Sequence, residues 1–71
     1  MNYVQIGDWC LRTDRITVVH RNLSAKCVDV YCGLNKECST YFKNRQETEA
    51  AYQKLLKEIF EAEGVDKFRK V

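Results

Sequence analysis

The chain has 71 residues and a formal net charge of +2, with 45% hydrophobic and 31% charged residues. This balance is that of a folded protein and excludes a disordered chain. The length predicts a single domain, 1–71, whose core is so limited that self-association would add to its stability. The weak net charge neither requires nor excludes an anionic partner.

No run of residues is long and apolar enough to span a bilayer, and the N-terminus lacks the basic and then apolar pattern of a signal peptide. We therefore expect a cytoplasmic protein that does not enter membranes. The cysteines are expected to be reduced in that compartment. They are Cys10, Cys27, Cys32 and Cys38.

The first residues of the chain predict a tight hairpin around Gly7, because glycine adopts the positive backbone angles of a two-residue turn. Antiparallel pairing outward from that turn sets Ile6 opposite Trp9 and Val4 opposite Leu11, and all four residues lie on one face. The other face of this hairpin carries Tyr3, Gln5, Cys10 and Arg12.

Three further strands are predicted before the last third of the chain. Their ranges are 15–21, 26–32 and 38–43, separated by turns at 22–25 and 33–37. In the last hairpin we place Val30 opposite Phe42. The same register gives favourable cross-strand pairs on the other face, Asp29 with Lys43 and Tyr31 with Tyr41.

Residues 44–64 carry the strongest signal and predict one long helix over 45–63. Asn44 is a suitable N-cap, Glu47 completes a capping box, and Gly64 suits the left-handed position that ends a helix. Apolar residues recur at helical spacing in a wide stripe, which is suited to covering a sheet. They are Ala51, Tyr52, Leu55, Leu56, Ile59, Phe60 and Ala62.

Together these elements predict an α+β fold, in which an antiparallel meander of four to five strands is packed on one face by the C-terminal helix. The strands occupy about 2–43, and 64–71 is a short tail that we expect to add a helical turn with Phe68 returning to the core or to a partner. The predicted core is Val4, Ile6, Trp9, Leu11, Ile16, Val18, Val30 and Phe42.

The sheet face away from the helix is predicted to be unusually aromatic. Contiguous exposed apolar patches mark interfaces, and tyrosine and arginine anchor interfaces well. The alternative is that these are scattered surface residues without a function, or that the predicted strand register is wrong by one position. The candidate partner-binding residues are Tyr3, Arg12, Arg21, Tyr31, Tyr41 and Lys43.

The same face supports an alternative, the binding of single-stranded nucleic acid or of a nucleotide. Tyrosine rings on an open sheet stack on unpaired bases, while Arg12, Arg21 and Lys43 reach phosphates. The low net charge and the presence of Asp29 in the patch argue against this alternative.

Metal and catalytic sites are weakly indicated. Cys27, Cys32 and Cys38 are spaced more widely than the tight ligand pairs of zinc sites, even with His20 upstream. In the predicted register Cys27 and Cys32 point to opposite faces. A Cys32–Cys38 bridge would be diagonal and is not preferred. His20 lacks a third orienting group for nucleophilic catalysis, so we expect no cofactor, no metal and no enzyme activity.

The opening sequence YVQIGDWCLRTDRITVV, followed by a hairpin and one capped helix, resembles small β-meander-plus-helix proteins encoded by phages and other mobile elements. The resemblance implies an accessory binding protein, in some cases an inhibitor of host defence that acts in the host cytosol. It carries over no functional residues. The leading hypothesis is a non-enzymatic protein that self-associates, or blocks a larger protein, through its outer sheet face or an edge strand.

Overall fold

The computed structural model describes residues 2–64. Its elements are β1 (Tyr3–Ile6), β2 (Trp9–Arg12), a short 3-10 helix (Thr13–Arg15), β3 (Val18–Asn22), β4 (Cys27–Cys32), β5 (Asn35–Tyr41) and α1 (Arg45–Glu63). The α+β class is as predicted. The expectation for the tail and for Phe68 falls outside the described residues.

The five strands form two antiparallel sheets, β1–β2 and β3–β4–β5. Within the described residues, each strand pairs only with a strand that neighbours it along the chain, as short connections dictate. The predicted single meander is therefore divided into two sheets between β2 and β3, where the 3-10 helix lies. Helix α1 contacts β1, β3 and β4, so it packs against both sheets.

The first hairpin has the predicted register, with Ile6 opposite Trp9 and Val4 opposite Leu11. Gly7 adopts a φ of +57°, the positive angle that the turn requires. Val4, Ile6 and Leu11 are buried in the core. The prediction of Trp9 as a core residue is wrong, because this side chain lies next to the turn and is 44% exposed.

Strand β3 begins later than predicted, since the 3-10 helix takes the place of its first residue and β3 starts at Val18. Ile16 is fully buried, as expected. Val18 is 48% exposed, whereas Val19 packs against the core. The prediction that Val18 is a core residue is therefore wrong. The cause is the register, which sets Val19 opposite the core residue Val30.

The hairpin between β4 and β5 differs most from the prediction. Its turn is short, with Gly33 at a φ of +70°, so β5 begins at Asn35 and not at Cys38. As a result Val30 lies opposite Cys38, and the predicted pair with Phe42 is wrong. The predicted cross-strand pairs Asp29–Lys43 and Tyr31–Tyr41 are wrong for the same reason.

A β-bulge in β5 decides which side chains of this strand point inward. Tyr31 pairs with Lys36, but the next pair is Val30 with Cys38, so Glu37 is an extra residue. Without it, the alternation of a regular strand would set Glu37 opposite Val30 on the core side. The bulge instead brings Cys38 into the core, where it is buried.

Helix α1 has the predicted bounds. The Asn44 side chain accepts a hydrogen bond from the Glu47 amide at 2.8 Å, and Gly64 ends the helix at a φ of +95°. Leu55 and Ile59 project from the helix into the core. Among residues 2–64, no helix combines the length and the apolarity that crossing a membrane requires.

Candidate functional site

The three-stranded sheet has an outer face, which we define by the side chains that alternate with those of the core. From β3 these are Val18, His20 and Asn22, from β4 Cys27, Asp29 and Tyr31, and from β5 Lys36, Ser39 and Tyr41. Val18 is 48% exposed and Tyr41 is 69% exposed, so solvent reaches large apolar groups at both edge strands. This outer face is the candidate functional site.

A buried carboxylate lies at the centre of the outer face. The Asp29 side chain is only 10% exposed, although it belongs to the solvent side of the sheet. The Ser39 hydroxyl donates to its Oδ1 at 2.6 Å, and the Cys27 thiol donates to the same oxygen at 3.8 Å. The His20 Nδ1 lies 3.4 Å from Oδ2, and the Lys36 Nζ lies 4.0 Å from Oδ1. We call these five residues the Asp29 cluster.

The cluster holds Asp29 in its ionised form. Burial alone raises the pKa of Asp29, but the hydrogen bonds from Ser39 and His20, with the charge of Lys36, outweigh burial and lower it. The pKa of Cys27 is raised, first by burial and then by the negative charge of Asp29 and the hydrogen bond to it. The cluster therefore pairs an anionic acceptor with a neutral thiol donor.

This arrangement is unlike that of a nucleophilic enzyme. Such a site needs a hydroxyl or thiol hydrogen-bonded to a base, which a third group orients. Here Ser39 and Cys27 both donate to the carboxylate, and neither hydrogen bond involves His20. Within residues 2–64, no group of three or more histidine, cysteine or acidic side chains is arranged to hold a metal ion. The cluster instead fixes the centre of the outer face.

Two of the predicted partner-binding residues, Tyr31 and Tyr41, lie on the outer face. They do not face each other, because the register sets Tyr41 opposite Cys27 and Tyr31 opposite Lys36. Tyr41 is largely exposed, whereas Tyr31 is half-buried. The two rings are thus separate contact points on one surface.

The placement of Arg21 on this surface is wrong. Arg21 lies opposite Val28, so its side chain belongs to the core side of the sheet. There it forms an ion pair with Glu49 of α1, and its guanidinium lies 4.7 Å from the centre of the Tyr52 ring. Arg21 therefore joins the sheet to the helix.

The remaining predicted residues lie elsewhere. Tyr3 and Arg12 are opposite each other in the β1–β2 sheet, where Arg12 binds Asp14 through two hydrogen bonds of 2.7 and 3.1 Å. Lys43 follows β5, and its amide donates to Glu47 at 3.4 Å at the start of the helix. The structure thus brings together only two of the six predicted residues on the outer face.

The Asp29 cluster was missed by reasoning from the sequence, although one signal was present. Asp29 stands in the middle of an otherwise apolar strand, between Val28 and Val30, where an ionised side chain needs partners. Its partners His20 and Ser39 come from the neighbouring strands, so they become visible only in the correct register.

No protein-family model, curated protein or solved structure matches this chain.

Proposed function

We propose that this protein is a non-enzymatic binding protein, which self-associates or blocks a larger protein partner through the outer face or an edge strand of its three-stranded sheet. The observation that carries the proposal is the composition of the outer face. Exposed apolar side chains at its two edges, Val18 and Tyr41, flank a centre whose polar groups are already satisfied. Apolar exposure of this kind is typical of interfaces.

The Asp29 cluster supports a binding role because it holds the centre of the outer face in one conformation before a partner binds. Its hydrogen bonds join all three strands, through His20 on β3, Asp29 on β4 and Ser39 on β5. A preorganised surface loses little side-chain freedom on association, which favours affinity. The partner would rest on Val18, Tyr31 and Tyr41.

The edges of the sheet favour β3 as the strand to which a partner strand would add. Both β3 and β5 are edge strands among the described residues. Strand β5 carries a bulge together with Lys36 and Glu37, and such features hinder edge pairing. Strand β3 pairs regularly with β4 and has no bulge. Its outer edge therefore offers the backbone groups that strand addition uses.

The binding of single-stranded nucleic acid is the second candidate, because Tyr31 and Tyr41 share a face with Lys36. Two of the cations that this function would use are engaged elsewhere, since Arg21 pairs with Glu49 and Arg12 with Asp14. The outer face thus has little positive charge for phosphates, and a protein partner is the better match.

The resemblance to small phage-encoded proteins extends the proposal to a wider role. On that basis the partner would be a host defence protein, which this protein inhibits in the host cytosol.

The experiment that tests the binding proposal is light scattering coupled to size exclusion, over a range of protein concentrations. We expect the mass to rise above that of the 8.4 kDa chain, and we expect Val18→Glu to return it to a monomer. Leu34→Glu is the matched control, because Leu34 is fully exposed at a turn and lies outside the outer face. A monomer at every concentration, together with no partner retained from a host lysate, would refute the proposal.

The nucleic-acid candidate is tested separately by titrating mixed-sequence oligonucleotides while tyrosine and tryptophan fluorescence is recorded. Binding that weakens steeply with salt, and that Tyr31→Ala reduces, would favour nucleic acid over protein. No fluorescence change at low salt would remove this candidate.

A further inference from the structure

Two cysteine side chains from different sheets line one cavity. The cavity has a volume of about 220 Å³ and lies where β2 and the 3-10 helix approach the end of β4. Its wall includes Cys10 of β2 and Cys32 of β4, together with the side chains of Arg12, Arg15 and Glu37. None of these residues belongs to the outer face, so the cavity is separate from the proposed binding surface.

The four thiols of the chain differ in their access to solvent. Cys10 is exposed and Cys32 is half-buried, whereas Cys27 and Cys38 are buried. Burial also raises the pKa of the Cys27 and Cys38 thiols, which keeps them in the unreactive protonated form. A reagent in solution therefore meets Cys10 first and reaches Cys32 through the shared cavity.

One cation in the cavity wall is available to a carboxylate of a reagent. Arg12 and Arg15 supply two cations, and Glu37 in the wall and Asp14 beside Arg12 supply two carboxylates. Arg12 is held by Asp14, while Arg15 makes no ion pair with any residue in the range 2–64. The guanidinium of Arg15 is therefore the group in the wall that pairs with a carboxylate of a small molecule.

We propose that Cys10 and Cys32 form a dithiol site that reacts with carboxylate-bearing disulfides of low molecular mass, the class to which oxidised glutathione belongs. Cys10 loses its proton and attacks one sulfur of the reagent, which releases the first half as a thiol and leaves a mixed disulfide on Cys10. Cys32 then loses its proton and attacks the Cys10 sulfur, and the second half leaves as a thiol. The protein loses two electrons and two protons, and the reagent gains both.

The resulting Cys10–Cys32 bond would join two sheets that share no strand pairing in the described part of the chain. A cross-link between such distant parts of the chain restricts the unfolded state. We expect the melting temperature of the oxidised protein to exceed that of the reduced protein by about 10 °C.

The test is incubation of the dilute, fully reduced protein with oxidised glutathione, followed by intact-mass measurement and peptide mapping. We expect a product lighter than the reduced chain by two hydrogen atoms and a cross-linked peptide pair that contains Cys10 and Cys32. A mixed disulfide that persists on Cys10 would overturn the proposal, because it would show that the cavity does not bring the sulfurs within bonding reach. A bridge between Cys32 and Cys38, or between two copies of the chain, would also overturn it.

Single variants distinguish the two steps. Cys32→Ser is expected to stop at the mixed disulfide on Cys10, and Cys10→Ser to stay unmodified under the same conditions. Cys27→Ser is the matched control, because Cys27 is buried outside the cavity and serine keeps a donor for Asp29. We expect it to form the Cys10–Cys32 bridge at the wild-type rate, and circular dichroism confirms that each variant is folded. Equal reaction in Cys10→Ser and the wild type would overturn the proposal.

Discussion

Asp29 shows how a single residue gives the outer face its character. A carboxylate on the solvent side of a sheet is ordinarily exposed, yet Asp29 is only 7% exposed as a residue. Its neighbours on both flanking strands cover it and donate to it, so the charge is buried and satisfied at once. Removing such an acceptor leaves several donors without a partner, which costs more than the hydrogen bonds themselves contribute.

We predict that Asp29→Asn lowers the free energy of unfolding by about 2 kcal/mol at neutral pH. Asparagine keeps one oxygen that can accept from Ser39 and Cys27, but its amide NH2 replaces the oxygen that faces His20, and the negative charge that pairs with Lys36 is lost. Urea unfolding followed by circular dichroism measures this loss. Asp8→Asn is the matched control, because Asp8 is an exposed turn residue and should leave the free energy of unfolding nearly unchanged.

The same residue sets a pH dependence whose sign follows from its lowered pKa. The folded protein holds the ionised form more strongly than the unfolded chain does. This contribution is therefore complete above the pKa of the unfolded chain and is lost as the pH falls through the folded pKa. Unfolding curves between about pH 5 and about pH 2 should show a steeper loss of stability for the wild type than for Asp29→Asn. Equal slopes would contradict the role assigned to Asp29.

At the scale of elements, the turn of the first hairpin packs directly on the three-stranded sheet. A Cβ atom on Gly7 would lie 2.7 Å from Cγ2 of Thr40 on β5, and Gly7 also has a positive φ. Glycine is therefore required twice at this position, once by the turn and once by the close approach to β5. This contact positions the β1–β2 hairpin, since no strand pairing within residues 2–64 joins it to the other sheet.

We predict that Gly7→Ala lowers the free energy of unfolding by about 2 kcal/mol, the sum of backbone strain and the contact with Thr40. Gly33→Ala is the control for strain alone, because Gly33 has a φ of +70° but, apart from Gly33 and its two chain neighbours, no atom of residues 2–64 lies within 4 Å of its Cβ position. The double variant Gly7→Ala with Thr40→Ser removes the methyl group at the contact. Thermal melting should show that it recovers part of the loss, and no recovery would mean that the close approach is unimportant.

The elements also show how far the sequence determined the fold. The helix and the first hairpin were predicted correctly because Asn44, Gly64 and Gly7 mark their ends by local chemistry. The hairpin between β4 and β5 was not, because a bulge at Glu37 depends on which side chains the core accepts and leaves no local signal. The wrong register gave Tyr41 and Ser39 incorrect cross-strand partners. The Asp29 cluster was not predicted for the same reason.

At the scale of the whole molecule, one layer of buried side chains connects the helix to both sheets. Leu55 and Ile59 of α1 meet Val4 of the first sheet and Val28 of the second in a single core. Because the two sheets are not paired with each other in the described part of the chain, this shared core and the contact at Gly7 hold them together. A small domain has little stability in reserve, so damage to this layer affects every element.

We predict that Ile59→Ala lowers the free energy of unfolding by about 3 kcal/mol, because the side chain is fully buried and its removal leaves a cavity. Both sheets should lose protection against hydrogen exchange together, as one cooperative unit. Lys57→Ala, at an exposed position of the same helix, should change the free energy by less than about 0.5 kcal/mol. If the first hairpin alone lost protection in Ile59→Ala, the two sheets would not share one core.

At the bulge, the presence of a residue at position 37 is more important than its identity. At this exposed position many side chains could replace glutamate, since none would have to enter the core. The loss of one residue between Lys36 and Cys38 is different, because the strand would become regular and every side chain beyond it would exchange inside for outside. Tyr41 would then turn towards the core and Thr40 towards solvent. Replacement of Glu37 is therefore compatible with the fold, whereas its deletion is not.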